Sequence, residues 1–138
     1  ESVIPLVDES YSTIEGPKGR AISGLSMGGR HAMFIGLRSL DLFASFGILS
    51  AGDVRAEETI AQFLNDPDAN EKVDYIFVGQ GVKEAAGFFN SRVQGLVDAL
   101  KNHNIEYDYY VGGHGGHDWG TWRHLLYYRF LPNLWRND

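Results

Sequence analysis

The sequence predicts an α/β fold, and three observations carry that reading. Short apolar runs of strand length recur along the chain, bounded by Gly, Ser and Asp. Between them lie stretches with apolar residues at three- and four-residue steps, the period of a helix that buries one face. Strands alternating with helices imply βαβ crossovers and a mostly parallel sheet flanked by helices. At 138 residues, 43% of them apolar, the chain has the length and composition of one packed unit, and no repeat or low-complexity tract divides it.

In order along the chain, residues 1–19 read as one helix and a turn, the turn being Gly16-Pro17-Lys18-Gly19. Ala21-Ile22-Ser23-Gly24-Leu25 follows as a buried strand. After Ser26, Ala32-Met33-Phe34-Ile35-Gly36-Leu37 is apolar on most sides and reads as a buried helix. A second strand, residues 43–49, ends at Ser50-Ala51-Gly52. A third, residues 73–78, ends at Gly79. Phe89, Val93, Leu96, Val97 and Leu100 mark an amphipathic helix. The fourth strand, residues 107–111, is rich in aromatics and runs into a glycine cluster. A last helix from about Trp119 carries Trp122, Leu125, Leu126 and Phe130 before Pro132.

Composition excludes several functions. There are no cysteines, which removes disulfides, thiolate metal sites and thiol catalysis. A net charge of −6 is a poor match for nucleic acid or an anionic membrane surface. No apolar run reaches the ~18 residues of a membrane span, and the first residues lack the basic-then-apolar pattern of a signal peptide.

Gly24-Leu25-Ser26-Met27-Gly28 fits G-x-S-x-G, extended by Gly29, with a strand before it and a helix after. A serine on such a turn lifts its hydroxyl above the sheet, and small flanking residues let the backbone turn without a Cβ clash. The Met27 N–H then faces the place where a carbonyl oxygen would gain charge. A plain Gly-Ser turn is the competing reading. A phosphate loop is excluded, because the Lys-Ser/Thr pair and the third glycine of G-x-G-x-x-G are missing.

A serine hydroxyl needs a positioned base. Of the five histidines, His31 lies in the nucleophile helix, His103 in a polar turn and His124 in the final helix. Surface or packing roles suit these three. His114 and His117 sit in Gly112-Gly113-His114-Gly115-Gly116-His117-Asp118-Trp119, just beyond the fourth strand, where this architecture presents a base. His114, His117 and Asp118 would also form part of a metal site, but no second cluster of ligands accompanies them. The order Ser, acid, His is that of the α/β-hydrolases, so the acid belongs between Ser26 and His117. Glu84 is the only carboxylate in the loop after the third strand, with a solvated glutamate at a helix start as the competing reading. Asp53 is the reserve, and Asp118 stands too close to His117 in sequence to reach its far nitrogen.

Ile4-Pro5-Leu6-Val7 with Tyr11, then Arg20-Ala21-Ile22-Ser23-Gly24-Leu25-Ser26-Met27-Gly28-Gly29, resembles the Putative esterase family, which holds the feruloyl and acetylxylan esterases of carbohydrate esterase family 1. Gly115-Gly116-His117-Asp118-Trp119-Gly120-Thr121-Trp122, followed by Leu125, Tyr127, Phe130 and Leu131, resembles that family's histidine loop and last helix. The resemblance implies Ser26 as nucleophile, His117 as base and the Met27 N–H as one oxyanion donor. Where the family usually carries Asp, this chain has Glu84. It implies a serine ester hydrolase that needs no cofactor and no metal, acting on feruloyl or acetyl groups of plant polysaccharide, secreted or periplasmic, with Trp119 a candidate to pack against an aryl group. A siderophore or short-chain esterase and a non-catalytic carbohydrate-binding relative are the alternatives. Residues 1–138 read as the C-terminal portion of one α/β-hydrolase domain. The nucleophile strand comes almost at the start, so the loop that gives the second oxyanion N–H in this fold is not among these residues. An unpaired sheet edge is expected beside that strand, completed by an N-terminal segment of the same domain or by a second copy.

Overall fold

The computed structural model describes residues 3–113 and 115–136. Four parallel strands form one sheet in the order β1 (Ala21–Leu25), β2 (Ser45–Leu49), β3 (Tyr75–Gly81), β4 (Asp108–Gly112). Register is continuous across it: Leu25 lies beside Leu49, Leu49 beside Gly79, and Gly79 beside Tyr110. Alternation of side chains along the strands divides the core in two. Phe46, Ile48, Ile76 and Val78 point to a face covered by α2 (Met27–Gly36), α7 (Asn90–Asn102) and the short helices between β2 and β3. Leu49 and Phe77 point to the other face, covered by Trp122 and Leu125 of α8 (Trp119–Leu125) and by Phe130 of the π-turn Leu126–Phe130. All three crossovers lie on one face, as strands added in one direction with a uniform crossover hand require.

The helices follow from their patterns. In α7, Val93, Leu96, Val97 and Leu100 are buried at three- and four-residue steps, as expected. The expected N-terminal helix and turn are α1 (Val3–Ser10) and a 3₁₀ turn at Pro17–Gly19. Three one-turn helices, α3 (Ala56–Thr59), α4 (Ala61–Leu64) and α5 (Ala69–Lys72), fill residues 56–72, a stretch for which the sequence suggested no element. Their Ala56, Phe63, Leu64 and Ala69, with Ile60 between α3 and α4, complete the core on that face.

Two burial expectations need correction. Strand β1 is not buried but half-exposed along its length, because only β2 pairs with it and its other edge is open among the described residues. Helix α2 is not apolar-buried all round: Ala32, Met33 and Gly36 are buried while Ile35 is 54% exposed. Strand β3 runs two residues past Gly79, so Gln80 and Gly81 belong to the sheet, and Val82–Ala85 forms a helical turn, α6, rather than a loop. Among the described residues no helix is long and apolar enough to cross a membrane.

Candidate active site

The carboxyl ends of all four strands meet at one place, the usual site for ligands of an open parallel sheet. Ser26 follows β1 and stands at the N-cap of α2 with φ 53 and ψ −122, a backbone conformation that costs a non-glycine residue of the order of 1–3 kcal/mol and clusters at functional turns. Its N–H donates to the Leu49 carbonyl (2.9 Å), which ties the turn to β2. The close approach of strand and helix falls on particular glycines. A Cβ on Gly24 would collide with the Gly28 backbone, and one on Gly29 would lie 2.7 Å from Ala51 Cβ and 2.8 Å from the Gly24 carbonyl oxygen. At Gly28, by contrast, a Cβ meets nothing within 4 Å, so the small residue after the serine is not a steric requirement there. Gly24→Ala is therefore expected to destabilise the fold by about 1–3 kcal/mol through overpacking. Gly28→Ala should stay within about 1 kcal/mol of the parent, on the favourable side, because Ala is the better helix former. Urea melts of the two variants check the pair, and equal losses would contradict the glycine assignment.

The sequence-predicted residues converge on this turn. Ser26 Oγ lies 2.7 Å from His117 Nε2, and His117 Nδ1 lies 2.6 Å from Glu84 Oε1. With a neutral imidazole, Nδ1–H donates to the carboxylate and Nε2 accepts from the serine hydroxyl. Glu84 sits in α6 with its side chain 3% exposed, so it is not the solvated helix-start residue of the competing reading. Its Oε2 accepts from the Gly81 N–H (2.7 Å), a reach back to the start of its own helix, and from the Ser50 hydroxyl (2.6 Å). His117 is held on two sides by rings: Phe89 stacks on it at 4.8 Å and Trp122 meets it edge-on at 5.0 Å. Met27 opens α2, so its N–H has no carbonyl of the helix to bond.

The other candidates are placed elsewhere. Asp53 is buried against Arg30 (2.8 Å) and accepts from the Arg55 N–H (3.0 Å), with no bond to His117. Burial would raise its carboxyl, yet those N–H donors and the Arg30 charge hold it below the usual carboxylate range. Asp118 caps α8: it accepts from the N–H groups of Thr121 and Gly116 (both 2.9 Å), which keep its carboxyl low and shape the loop carrying His117. His31 is exposed, His103 bonds Glu57 (2.8 Å), and His124 stacks on Tyr110. His114, needed by the metal reading, lies outside the described residues. Among those described, no group of three His, Cys, Asp or Glu side chains is placed to hold a metal ion.

A cavity of about 280 Å³ opens beside Ser26 and His117, lined also by Met27, Arg30, Phe89 and Arg92. Trp119 does not line it. That ring is 62% exposed and packs edge-on against Trp122 (5.4 Å), the structural alternative to an aryl contact. Sequence reasoning missed Phe89 and Arg92 as cavity residues, because Phe89 falls on the apolar period of α7 although it stands at that helix's start, 41% exposed. It missed Ser50 and Trp122 too, reading the first as a strand terminator and the second as core.

Residues 1–131 match the family described as Putative esterase. An endo-1,4-beta-xylanase/feruloyl esterase of Xylanibacter ruminicola is 36% identical over 126 residues, covering 91% of this chain and 16% of that protein. Among solved structures, a ferulic acid esterase superposes with a TM-score of 0.76 at 26% identity, covering 96% of this chain and 57% of that one. A feruloyl esterase module from Clostridium thermocellum, solved with sinapinate, superposes at 0.79 with 23% identity, covering 98% and 56%. The chain thus spans less than two thirds of each of these relatives, and its parallel sheet with flanking helices is the α/β-hydrolase fold they share. By the family match along nearly its whole length and by its kinship with the xylanase/feruloyl esterase, this chain belongs to the Putative esterase family.

Proposed function

We propose that the chain carries the catalytic residues of a serine carboxylic-ester hydrolase that removes hydroxycinnamoyl groups, such as feruloyl, from plant polysaccharide. The observation that carries the reading is the hydrogen-bonded series Ser26 Oγ, His117 Nε2, His117 Nδ1, Glu84 Oε1, with links of 2.7 and 2.6 Å. Ser26 Oγ attacks the ester carbonyl while its proton passes to His117 Nε2, and the carbonyl oxygen becomes an oxyanion that the Met27 N–H stabilises. Glu84 keeps Nδ1 protonated, so Nε2 is free to accept, and it stabilises the imidazolium that forms. The oxyanion collapses, the C–O bond to the sugar breaks, and His117 returns the proton to the leaving alcohol. Water repeats the sequence on the acyl-enzyme and releases the acid. Every proton is handled by chain residues, so the reaction calls for no cofactor.

The feruloyl assignment rests on the names of the xylanase/feruloyl esterase and ferulic acid esterase relatives, together with the aromatic wall that Phe89 gives the cavity. Such a polymeric plant substrate is the support for a secreted or periplasmic enzyme. Methyl ferulate, acetylated xylan and tributyrin assayed side by side test it. The largest kcat/KM is expected on methyl ferulate; a preference for acetylated xylan or tributyrin would shift the substrate to an acetyl or short-chain ester.

We further propose that residues 1–138 form the C-terminal portion of one α/β-hydrolase domain, completed by an N-terminal segment that pairs with β1 and supplies the second oxyanion N–H. The support is the open edge of β1 beside an apolar groove of about 350 Å³ lined by Val3, Ile4, Val7, Ile14 and Phe43, and the 57% of the ferulic acid esterase's length that the chain spans. Loss of one oxyanion donor costs about 10²–10³ in kcat. Residues 1–138 alone are expected to turn over p-nitrophenyl acetate slower by that factor than the chain with its upstream segment. An undiminished, Ser26-dependent rate from a stable monomer of residues 1–138 would contradict the proposal, and the same rate from a dimer would assign the completing role to a second copy.

A further inference from the structure

Ser26 is one of two serines that stand in the same place on adjacent strands. Ser50 follows β2 as Ser26 follows β1, with φ 51 against 53, and its N–H donates to the Gly79 carbonyl of β3 as Ser26 N–H donates to Leu49 of β2. At positive φ a glycine would sit without a Cβ clash, so a serine here carries a conformational cost that its side chain must offset. That side chain is buried, and both its hydrogen-bonding capacities are used. Trp122 Nε1–H donates to Ser50 Oγ (3.0 Å), and Ser50 Oγ lies 2.6 Å from Glu84 Oε2. A carboxylate has no proton to give, and the indole N–H occupies one lone pair of the hydroxyl, so the hydroxyl proton points at Glu84.

We propose that Ser50 is a positioning residue of the reaction, and that the relay Trp122 N–H to Ser50 O–H to Glu84 Oε2 orients the Glu84 carboxylate toward His117. This rests on the reading of Ser26, His117 and Glu84 as the catalytic series. With Gly81 N–H and Ser50 O–H both on Oε2, the carboxylate cannot rotate, and Oε1 alone remains to receive His117 Nδ1–H. Trp122 closes the arrangement from the other side, since the ring whose N–H fixes Ser50 also meets the His117 imidazole edge-on. The Glu84 side chain has one more rotatable bond than an aspartate and so has more need of such restraint. Ser50 also lines the cavity next to Ser26, so a direct contact with substrate is the role to be told apart from positioning.

The test uses Ser50→Gly and Ser50→Ala in the assembled domain. Glycine removes the hydroxyl while relaxing the backbone, and alanine removes the hydroxyl while keeping the strain. Both are expected to lower kcat about 10- to 100-fold, the worth of a hydrogen bond to a charged group, with KM within twofold of the parent. Trp122→Phe, which keeps a ring but removes the N–H, should lower kcat in the same direction by about two- to tenfold. In the Glu84→Gln background, Ser50→Gly should cause no further loss, because a residue that acts only by orienting the Glu84 carboxylate toward His117 has no carboxylate left to orient. The proton resonance of His117 Nδ1–H should move upfield in Ser50→Gly as its bond to Glu84 loosens. A parental kcat in Ser50→Gly, a change confined to KM, or an equal loss in the Glu84→Gln background each overturns the proposal. If Ser26→Ala and Glu84→Gln are inactive while Ser50→Gly is not, this inference alone falls. Parental turnover by Ser26→Ala would remove the catalytic reading and this inference with it.

Discussion

Ser26→Ala and His117→Ala are each expected to lower kcat on the order of 10⁶-fold in the assembled domain, with the double variant no worse than either alone. The two side chains act as one unit: the hydroxyl is a weak nucleophile until Nε2 takes its proton, and the imidazole activates water only after Ser26 has taken up the acyl group. Their bond of 2.7 Å joins residues 91 positions apart, brought together because β1 and β4, the two outer strands, both finish at the carboxyl end of the parallel sheet. Neither change should unfold the protein. Ser26→Ala keeps a Cβ at the strained φ of 53, and the His117 side chain is 28% exposed, so its removal leaves no sealed cavity. Turnover of methyl ferulate, alongside a thermal melt, checks both halves of the statement. Parental turnover from folded Ser26→Ala would end the assignment.

The second large effect is expected at Glu84, where Glu84→Gln should lower kcat by about 10²–10⁴, by analogy with the triad acid whose loss costs about 10⁴. Size is preserved, so the effect comes from protons. Gly81 N–H and Ser50 O–H both seek an acceptor at the position of Oε2, which draws the amide oxygen there. The amide NH₂ then faces His117 Nδ1, which must accept, and the imidazole proton moves to Nε2, where it blocks abstraction from Ser26. Asp53→Asn makes the contrast. Its carboxylate meets Arg30 and the Arg55 N–H rather than His117, so kcat should stay near the parent's while stability falls. A full-rate Glu84→Gln enzyme would move the acid's role to Asp53 or to a residue beyond this chain.

Much of this site was legible because its signals are local. G-x-S-x-G between a strand and a helix occupies consecutive residues, as does the glycine-flanked His117, and chain order with the loop after the third strand put Glu84 first and Asp53 in reserve. What stayed hidden depends on contacts distant in sequence. Nothing in Ser50-Ala51-Gly52 shows that the hydroxyl meets Glu84 and Trp122, 34 and 72 positions away. The choice between Phe89 and Trp119 as the ring beside the cavity turns on the path of the chain into α7 and α8, and both aromatics fit the apolar period of their helices. Helices α3 to α5 are four residues each, shorter than the window in which a 3.6-residue period declares itself. The burial of β1 was misjudged because an apolar run reads alike in a central strand and at an edge, and only pairing tells them apart.

The central claim is that Ser26 is an activated nucleophile, and labelling by a fluorophosphonate probe tests it most directly, since an unactivated serine hydroxyl does not react. The assembled domain is treated with the probe, digested, and the modified residue located by mass spectrometry. One adduct is expected, on Ser26, lost in Ser26→Ala, strongly slowed in His117→Ala and slowed less in Glu84→Gln. A folded protein that takes no label, or takes it at another residue while Ser26 stays free, would contradict it.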